Sequence, residues 1–349
     1  MRLLLSLLIA LAAAAPCAGD ESRPFGAGVA LSLHSQDPHF SYAPILKEIR
    51  ATGATEVSLL VHFYQENSVT SKPSRHLLKT PSDARLLEAI RSGRELGLRV
   101  FVMPILLLEK PRKDDWRGNI KPPKWKPWFA AYRKEIVHFA RLAERGGAAL
   151  FSVGSELSST EVQLADWRRI IKEVSAVFSG RLTYSANWDH YDQVGFWGQL
   201  DVMGISGYYE LTNSTTPKRD VLVDAWREVQ RKILAWRKAA AVKAPLIFTE
   251  VGYASQDGCA SKPWNYYLTD KIDLEEQKLC YEVFIEVWDR HPALAGVFFY
   301  EWWGKGGSKD PRYTPKGKPA EQVMRSWFTR IRKRNAALSR SAKGAVGGG

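Results

Sequence analysis

Eight apolar runs of strand length, all but one joined to the next by an amphipathic helical segment, predict a (β/α)8 barrel over residues 24–330. Such a barrel typically takes about 250 residues as one unit, and a chain of 349 residues accommodates it with terminal additions. A third observation sets its polarity. The runs AALFSVGSELSS (148–159) and APLIFTEVGYAS (244–255) each reach a glutamate, Glu156 and Glu250. An unpaired buried carboxylate is costly, so an acid ending an apolar run belongs at the strand's mouth, facing a cleft or a partner. Either acid alone could simply salt-bridge a neighbouring loop. Two of them on two like strands of one barrel point into one space.

Taken in order, the first run is 25–33, with a helix near 42–51 that stops before Gly53. The run 56–64 follows, then a helix capped near Ser82 that ends at Gly97. The third run, 98–108, leads into a long loop (109–127) carrying Trp116, Arg117 and Trp125, and into a helix that breaks at Gly146 and Gly147. The Glu156 run is the fourth. Its helix sets Trp167, Ile170, Ile171, Val174, Val177 and Phe178 at three- and four-residue spacing, which makes Trp167 a core residue. The fifth run is 181–187, and its connection WDHYDQVGFWGQ lacks a long helix. The sixth is 200–208, and Leu222, Trp226, Val229, Ile233 and Trp236 form the next apolar face. The Glu250 run is the seventh, followed by a helix over 274–288, the eighth run 294–302 and a last amphipathic segment, 320–331. A doubly wound sheet is the rival fold, but it usually carries a Gly-rich phosphate loop after its first strand, and FGAGVALS has no third glycine.

The termini read differently from the barrel. Arg2 followed by the apolar run Leu3 to Ala15 has the form of a cleaved export signal, expected over 1–19 and too short to span a bilayer as a mature helix. A periplasmic or extracellular location follows. Lipidation at Cys17 is disfavoured because Pro16 stands where a small residue should precede it. In an oxidising compartment Cys259 and Cys280 could pair or stay free, and neither belongs to a CxxC zinc pair. The formal charge of +13 gathers partly in residues 331–349, expected as a disordered basic tail that touches anionic envelope polymers weakly. That distribution speaks against nucleic acid as a partner. No further run is long enough for a membrane span, and a monomer is expected.

In barrels of this kind chemistry sits at the carboxyl ends of the strands. Those ends offer His34; His62, Tyr64 and Gln65; Glu109 and Trp116; Glu156; Asn187, Trp188 and Asp189; Tyr208, Tyr209 and Glu210; Glu250 and Tyr253; and Glu301, Trp302 and Trp303. The mouth is acidic, aromatic and rich in amides. Indoles and phenols stack on the apolar faces of sugar rings, while carboxylates, amides and imidazoles bind hydroxyls at their edges. A sugar is the natural guest. The seven histidines form no HxH or HExxH, and GISGY and VGSEL both miss the GxSxG elbow. No metal or organic cofactor is expected. Glycoside hydrolysis needs two carboxyl groups, one to protonate the leaving oxygen and one to attack the anomeric carbon or activate water, and a separation of about 5 to 5.5 Å gives retention. Glu156 would be the acid/base, its pKa raised by burial and by the neighbouring carboxylate, and Glu250 the ionised nucleophile.

Several segments, in order, are similar to glycoside hydrolase family 113, a clan A family whose characterised members are β-mannanases. They are WRGNI (116–120), GSEL (154–157), LTYSANWD (182–189), FWGQLDVMGISGYY (196–209), FTEVGYAS (248–255), PW (263–264) and GVFFYEWW (296–303). The resemblance implies the same two roles for Glu156 and Glu250, a hydrogen bond from Tyr208 to the nucleophile, and Trp302 beneath the sugar. It also implies that Asn187, Trp188, Trp116 and Arg117 line the cleft. Ser155, His62 and Tyr253 complete the expected substrate contacts.

The chain departs from the clan in having Ser155 where Asn usually precedes the acid/base, Ser206 where Asp is expected and His62 for a common Arg. The third run reads VMPILLL in place of a polar Lys-Pro-His-like stretch. Lost polar contacts around the sugar bear on specificity more than on hydrolysis. The expected activity is retaining hydrolysis of a β-linked glycan, with β-mannan the leading substrate. A catalytically silent glycan-binding barrel of the cell envelope is the alternative.

Overall fold

Parallel pairing of successive strands closes a ring in the order β1 to β8, and β8 returns to β1. The computed structural model describes residues 24–346. The strands are β1 (Gly26–Ser32), β2 (Glu56–Gln65), β3 (Arg99–Leu108), β4 (Leu150–Ser155), β5 (Arg181–Ala186), β6 (Val202–Ser206), β7 (Leu246–Val251) and β8 (Leu294–Phe299). Around them lie α1 (Ala43–Ala51), α2 (Asp83–Glu95), α3 (Trp125–Gly146), α4 (Leu164–Ser175), α5 (Arg219–Ala239), α6 (Leu274–Trp288) and α7 (Pro319–Val346). The fold is the predicted (β/α)8 barrel. Between β5 and β6 the chain makes only a short 3-10 turn, Trp197–Gln199, as the missing helical period implied. The expected signal segment, 1–19, lies outside the described residues.

Strand alternation divides the apolar residues into two cores. Inward side chains, among them Ala30, Leu60, Phe101, Met103, Leu150, Val202, Ile247 and Phe298, fill the barrel. Gly28 leaves the room that the Phe298 ring occupies. Outward side chains meet the helices in a second layer anchored by Trp128, Trp167, Trp226, Trp288 and Trp327, each fully buried. Trp167 is in the core as its spacing predicted, and its indole N–H donates to the Thr160 carbonyl at 3.0 Å. The expected stops also hold: Ser82 caps α2 through the Arg85 N–H, and Gly97 and Gly147 take positive φ where α2 and α3 end.

The expectation of a disordered tail from residue 331 is overturned, because α7 runs on to Val346. Ile331 is fully buried, and Asn335 clasps the backbone of Phe25, accepting from its N–H at 3.0 Å and donating to its carbonyl at 2.9 Å. Arg334 reaches Asp289 at 3.2 Å. These anchors and the good helix formers Ala336, Ala337 and Leu338 sustain the helix despite its positive charge. Cys259 and Cys280 are both buried free thiols. Among the described residues no helix is long and apolar enough to cross a membrane.

Candidate active site

Irregular strand ends aim the two expected acids. The β4–β5 register shifts between Ser152 and Ser155, and Glu156 then adopts φ 53°, in the left-handed region. Such a conformation costs a non-glycine residue about 1–3 kcal/mol and persists only where its surroundings over-determine it. Here they do: the Glu156 N–H donates to the Ser185 carbonyl at 2.8 Å, and the next N–H, of Leu157, to the Tyr184 hydroxyl at 2.9 Å. On β7 the register shifts against both neighbours, pairing Glu250 with Ser206, and the Glu250 carbonyl accepts from the Gly207 N–H at 2.6 Å. Bulges of this kind re-aim side chains at barrel rims.

The side chains form one connected group. Tyr208 donates its hydroxyl to Glu250 Oε2 at 2.7 Å, as expected, and Glu250 Oε1 is buried without a partner. Arg117, from the 3-10 turn Arg117–Asn119 in the β3–α3 loop, pairs its Nη2 with Glu156 Oε2 at 2.5 Å. The upward push expected on Glu156 falls instead on Glu250, whose carboxyl burial raises to about 8; the charge of Glu156 adds to this, and Arg117 and the Tyr208 hydroxyl act against it, favouring the ionised form a nucleophile needs. Glu301 is pushed up to about 7 by burial, opposed by a hydrogen bond of 2.6 Å from the Ser32 hydroxyl. His62 is pushed down to about 3 by burial, with the charges of His34 and Arg117 adding, so it is neutral. His34 lies 6.3 Å from His62 and 4.3 Å from Trp303, centroid to centroid.

Of the other expected residues, Ser155 is buried beside Glu156 with its hydroxyl unpartnered. Asn187 donates to Asp189 at 2.7 Å, and the Trp188 ring packs 5.5 Å from that of Tyr209. Trp116 stands on the rim, 40% exposed, beside Arg117.

Two expected contacts fall elsewhere. Trp302 is not beneath the sugar: it is 2% exposed in the outer layer, and its indole N–H donates to Glu48 on α1 at 3.0 Å. Alternation places Phe298 and Tyr300 inward, but it breaks after Tyr300, so Glu301 turns to Ser32 on β1 and Trp302 turns outward. Tyr253 is fully buried against the α6 side of the barrel near Tyr281, where Gln277 donates to its carbonyl at 2.8 Å. Its strand has already left the barrel wall. Tyr300 takes the inward place, its ring 6.2 Å from Tyr208 and 5.1 Å from Tyr313. Tyr300 and Tyr313 were missed; the parity of Phe298 and Tyr300 was the available signal for the first.

Asp257, Asp273 and Glu276 bring carboxylate oxygens within 4.8 Å of one another. Their oxygens are already engaged: Glu276 accepts the Gly258 and Ala260 N–H groups, Asp257 accepts from Lys271, and Asp273 caps α6. This cluster clamps the β7–α6 loop.

The profile of Glycoside Hydrolase Family 113 matches residues 41–318. Among solved structures, the GH113 β-mannanase AaManA from Alicyclobacillus acidocaldarius, in complex with ManMIm, is 26% identical with a TM-score of 0.80, over 89% of this chain and 99% of that one. A structure of a GH113 β-1,4-mannanase is also 26% identical, with a TM-score of 0.78 over 88% and 99%. A β-glucuronidase from Faecalibacterium prausnitzii, 14% identical with a TM-score of 0.61 over 88% of this chain and 49% of that one, shares the fold alone. No curated protein sequence matches the chain. With the family profile spanning most of the barrel, the chain belongs to glycoside hydrolase family 113 and is a glycoside hydrolase.

Proposed function

We propose that the protein is an exported retaining β-mannanase in which Glu250 is the nucleophile and Glu156 the acid/base. One observation carries the assignment of roles: Tyr208 fixes Oε2 of Glu250 at 2.7 Å and leaves Oε1 without a partner, in a mouth shared with Glu156. A carboxylate held by one oxygen presents the other for attack. In the first step Oε1 bonds to the anomeric carbon, the glycosidic C–O bond breaks, and Glu156 gives its proton to the leaving oxygen. In the second, Glu156 takes a proton from water as the water oxygen bonds to the anomeric carbon and the Glu250 ester bond breaks. Glu250 is regenerated ionised and Glu156 protonated.

The substrate is proposed from the two GH113 β-mannanases that the chain matches over nearly their whole length. Export is proposed from Arg2 and the apolar run Leu3 to Ala15. Ser155 and His62 would offer the reacting sugar a hydroxyl and an imidazole in place of amide and guanidinium groups, whereas the Ser206 hydroxyl is spent on the Ala186 carbonyl at 3.2 Å.

Purified protein incubated with mannan, glucomannan, xylan, β-glucan and peptidoglycan should release reducing ends from the mannose-containing substrates. Glu250→Gln and Glu156→Gln should each reduce turnover on the order of 10⁴-fold or more while leaving the thermal melt intact. Unchanged activity in Glu250→Gln would overturn the assignment. Binding of a glycan with no product from any substrate would favour the silent glycan-binding alternative.

A further inference from the structure

Three carboxylates share the mouth, Glu156 from β4, Glu250 from β7 and Glu301 just beyond β8, and all three are largely removed from water. Three neighbouring buried carboxylates do not ionise together without compensating charge. The titratable groups facing them are His34 after β1 and His62 on β2, Tyr208 after β6, Tyr300 after β8, Tyr313 ahead of α7, and Arg117 from the β3–α3 loop. Both imidazoles are pushed toward the neutral form by burial, and burial together with the neighbouring carboxylates holds all three phenols protonated. Arg117 is therefore the permanent cation of this group.

Its placement suits that task. Arg117 touches Glu156 at 2.5 Å, and its charge also favours the ionised form of Glu250, which Tyr208 holds through Oε2 at 2.7 Å. Only Nη2 is committed to Glu156, and the buried Nε–H has no partner. The guanidinium thus retains donors beyond those spent on Glu156. Glycoside hydrolysis needs the carboxylate pair to carry one proton and one charge, with the proton on Glu156 in the first step and returned to it in the second. A fixed cation able to serve both members stabilises that singly ionised form in either arrangement.

We propose that Arg117 is a positioning residue: it is the counter-ion common to Glu156 and Glu250, and it sets the pH window in which the pair holds one proton. The proposal rests on the glycosidase roles given to the pair above. The sign follows from the charge. A cation favours each successive loss of a proton, so removing it makes both losses harder and moves both limbs of the kcat/KM profile to higher pH.

The test compares pH profiles of kcat/KM for the wild type, Arg117→Met and Arg117→Lys on β-mannan. Arg117→Met should shift both limbs up by about 1 pH unit or more, and Arg117→Lys, which keeps the charge, should restore them most of the way. Limbs that stay in place in Arg117→Met, with only the height reduced, would overturn the proposal. Where turnover of Arg117→Met is too low to profile, the carboxyl titrations are read directly by NMR on ¹³C-carboxyl-labelled glutamate, assigned with Glu156→Gln and Glu250→Gln. Upward movement of both midpoints supports the proposal and unmoved midpoints overturn it. Wild-type protein inactive on every glycan would instead defeat the glycosidase reading itself.

Discussion

The barrel carries an arginine–glutamate pair at each end, and the two are built for different purposes. At the amino-terminal end Glu56 and Arg99 are paired in register on β2 and β3, and Arg99 Nε donates to Glu56 at 2.8 Å. Both residues sit in ordinary strand backbone, and the arginine side chain is 41% exposed. At the mouth Glu156 is reached by Arg117 from a loop, with left-handed backbone and a register shift beside it. The polar atoms left without partners there, Arg117 Nε, Ser155 Oγ and Glu250 Oε1, have no counterpart in the Glu56–Arg99 pair. Unpartnered polar atoms also occur in the outer core, at Tyr253, Tyr281 and Trp288, so what sets the mouth apart is that they lie there beside left-handed backbone and two facing carboxylates.

That contrast can be broken at several points. Tyr208→Phe removes a charge-assisted hydrogen bond worth about 1.5–3 kcal/mol, so kcat should fall on the order of 10- to 100-fold, measured on mannan under saturating conditions. An unchanged kcat would mean that Glu250 needs no fixed oxygen. The Tyr300 and Trp302 pair sharpens the division between mouth and outer layer. Tyr300→Ala should raise KM by roughly tenfold with a smaller effect on the thermal melt. Trp302→Ala should destabilise the fold by about 3–5 kcal/mol in denaturant titration, with KM nearly unchanged. The reverse pattern would return the sugar platform to Trp302. The smallest effect on activity belongs to the other end: Glu56 is buried, so Glu56→Gln should lower stability by about 1.5–3 kcal/mol through the lost charged hydrogen bond and leave kcat/KM within about twofold, read from melts and initial rates.

The sequence disclosed most of the frame because each strand and helix repeats a period that burial enforces. Trp167 illustrates this: its helix spacing alone placed it in the core, and it is fully buried. Glu156, Glu250 and Tyr208 were legible because an acid or phenol ending an apolar run has few other places to go. The errors fall where local rules stop. By a period of two Trp302 would share the inward parity of Phe298 and Tyr300, but the chain breaks that parity on leaving β8 and Trp302 faces outward. Tyr253 failed differently: three residues past Glu250 it has the opposite parity to the acid, beyond the end of β7, and it packs outward against Tyr281. The tail failed because charge composition says nothing of a clasp 310 residues away in sequence, between Asn335 and Phe25. The contact of Arg117 with Glu156 likewise spans a loop: family resemblance implied only that Arg117 lines the cleft, and spacing could not name its partner.

The proposed double displacement with Glu250 as nucleophile makes its most direct prediction about stereochemistry. Proton NMR of the first products released from β-1,4-mannan, followed before mutarotation, should show the β-anomer appearing first and the α-anomer growing in later. The α-anomer appearing first would contradict the account.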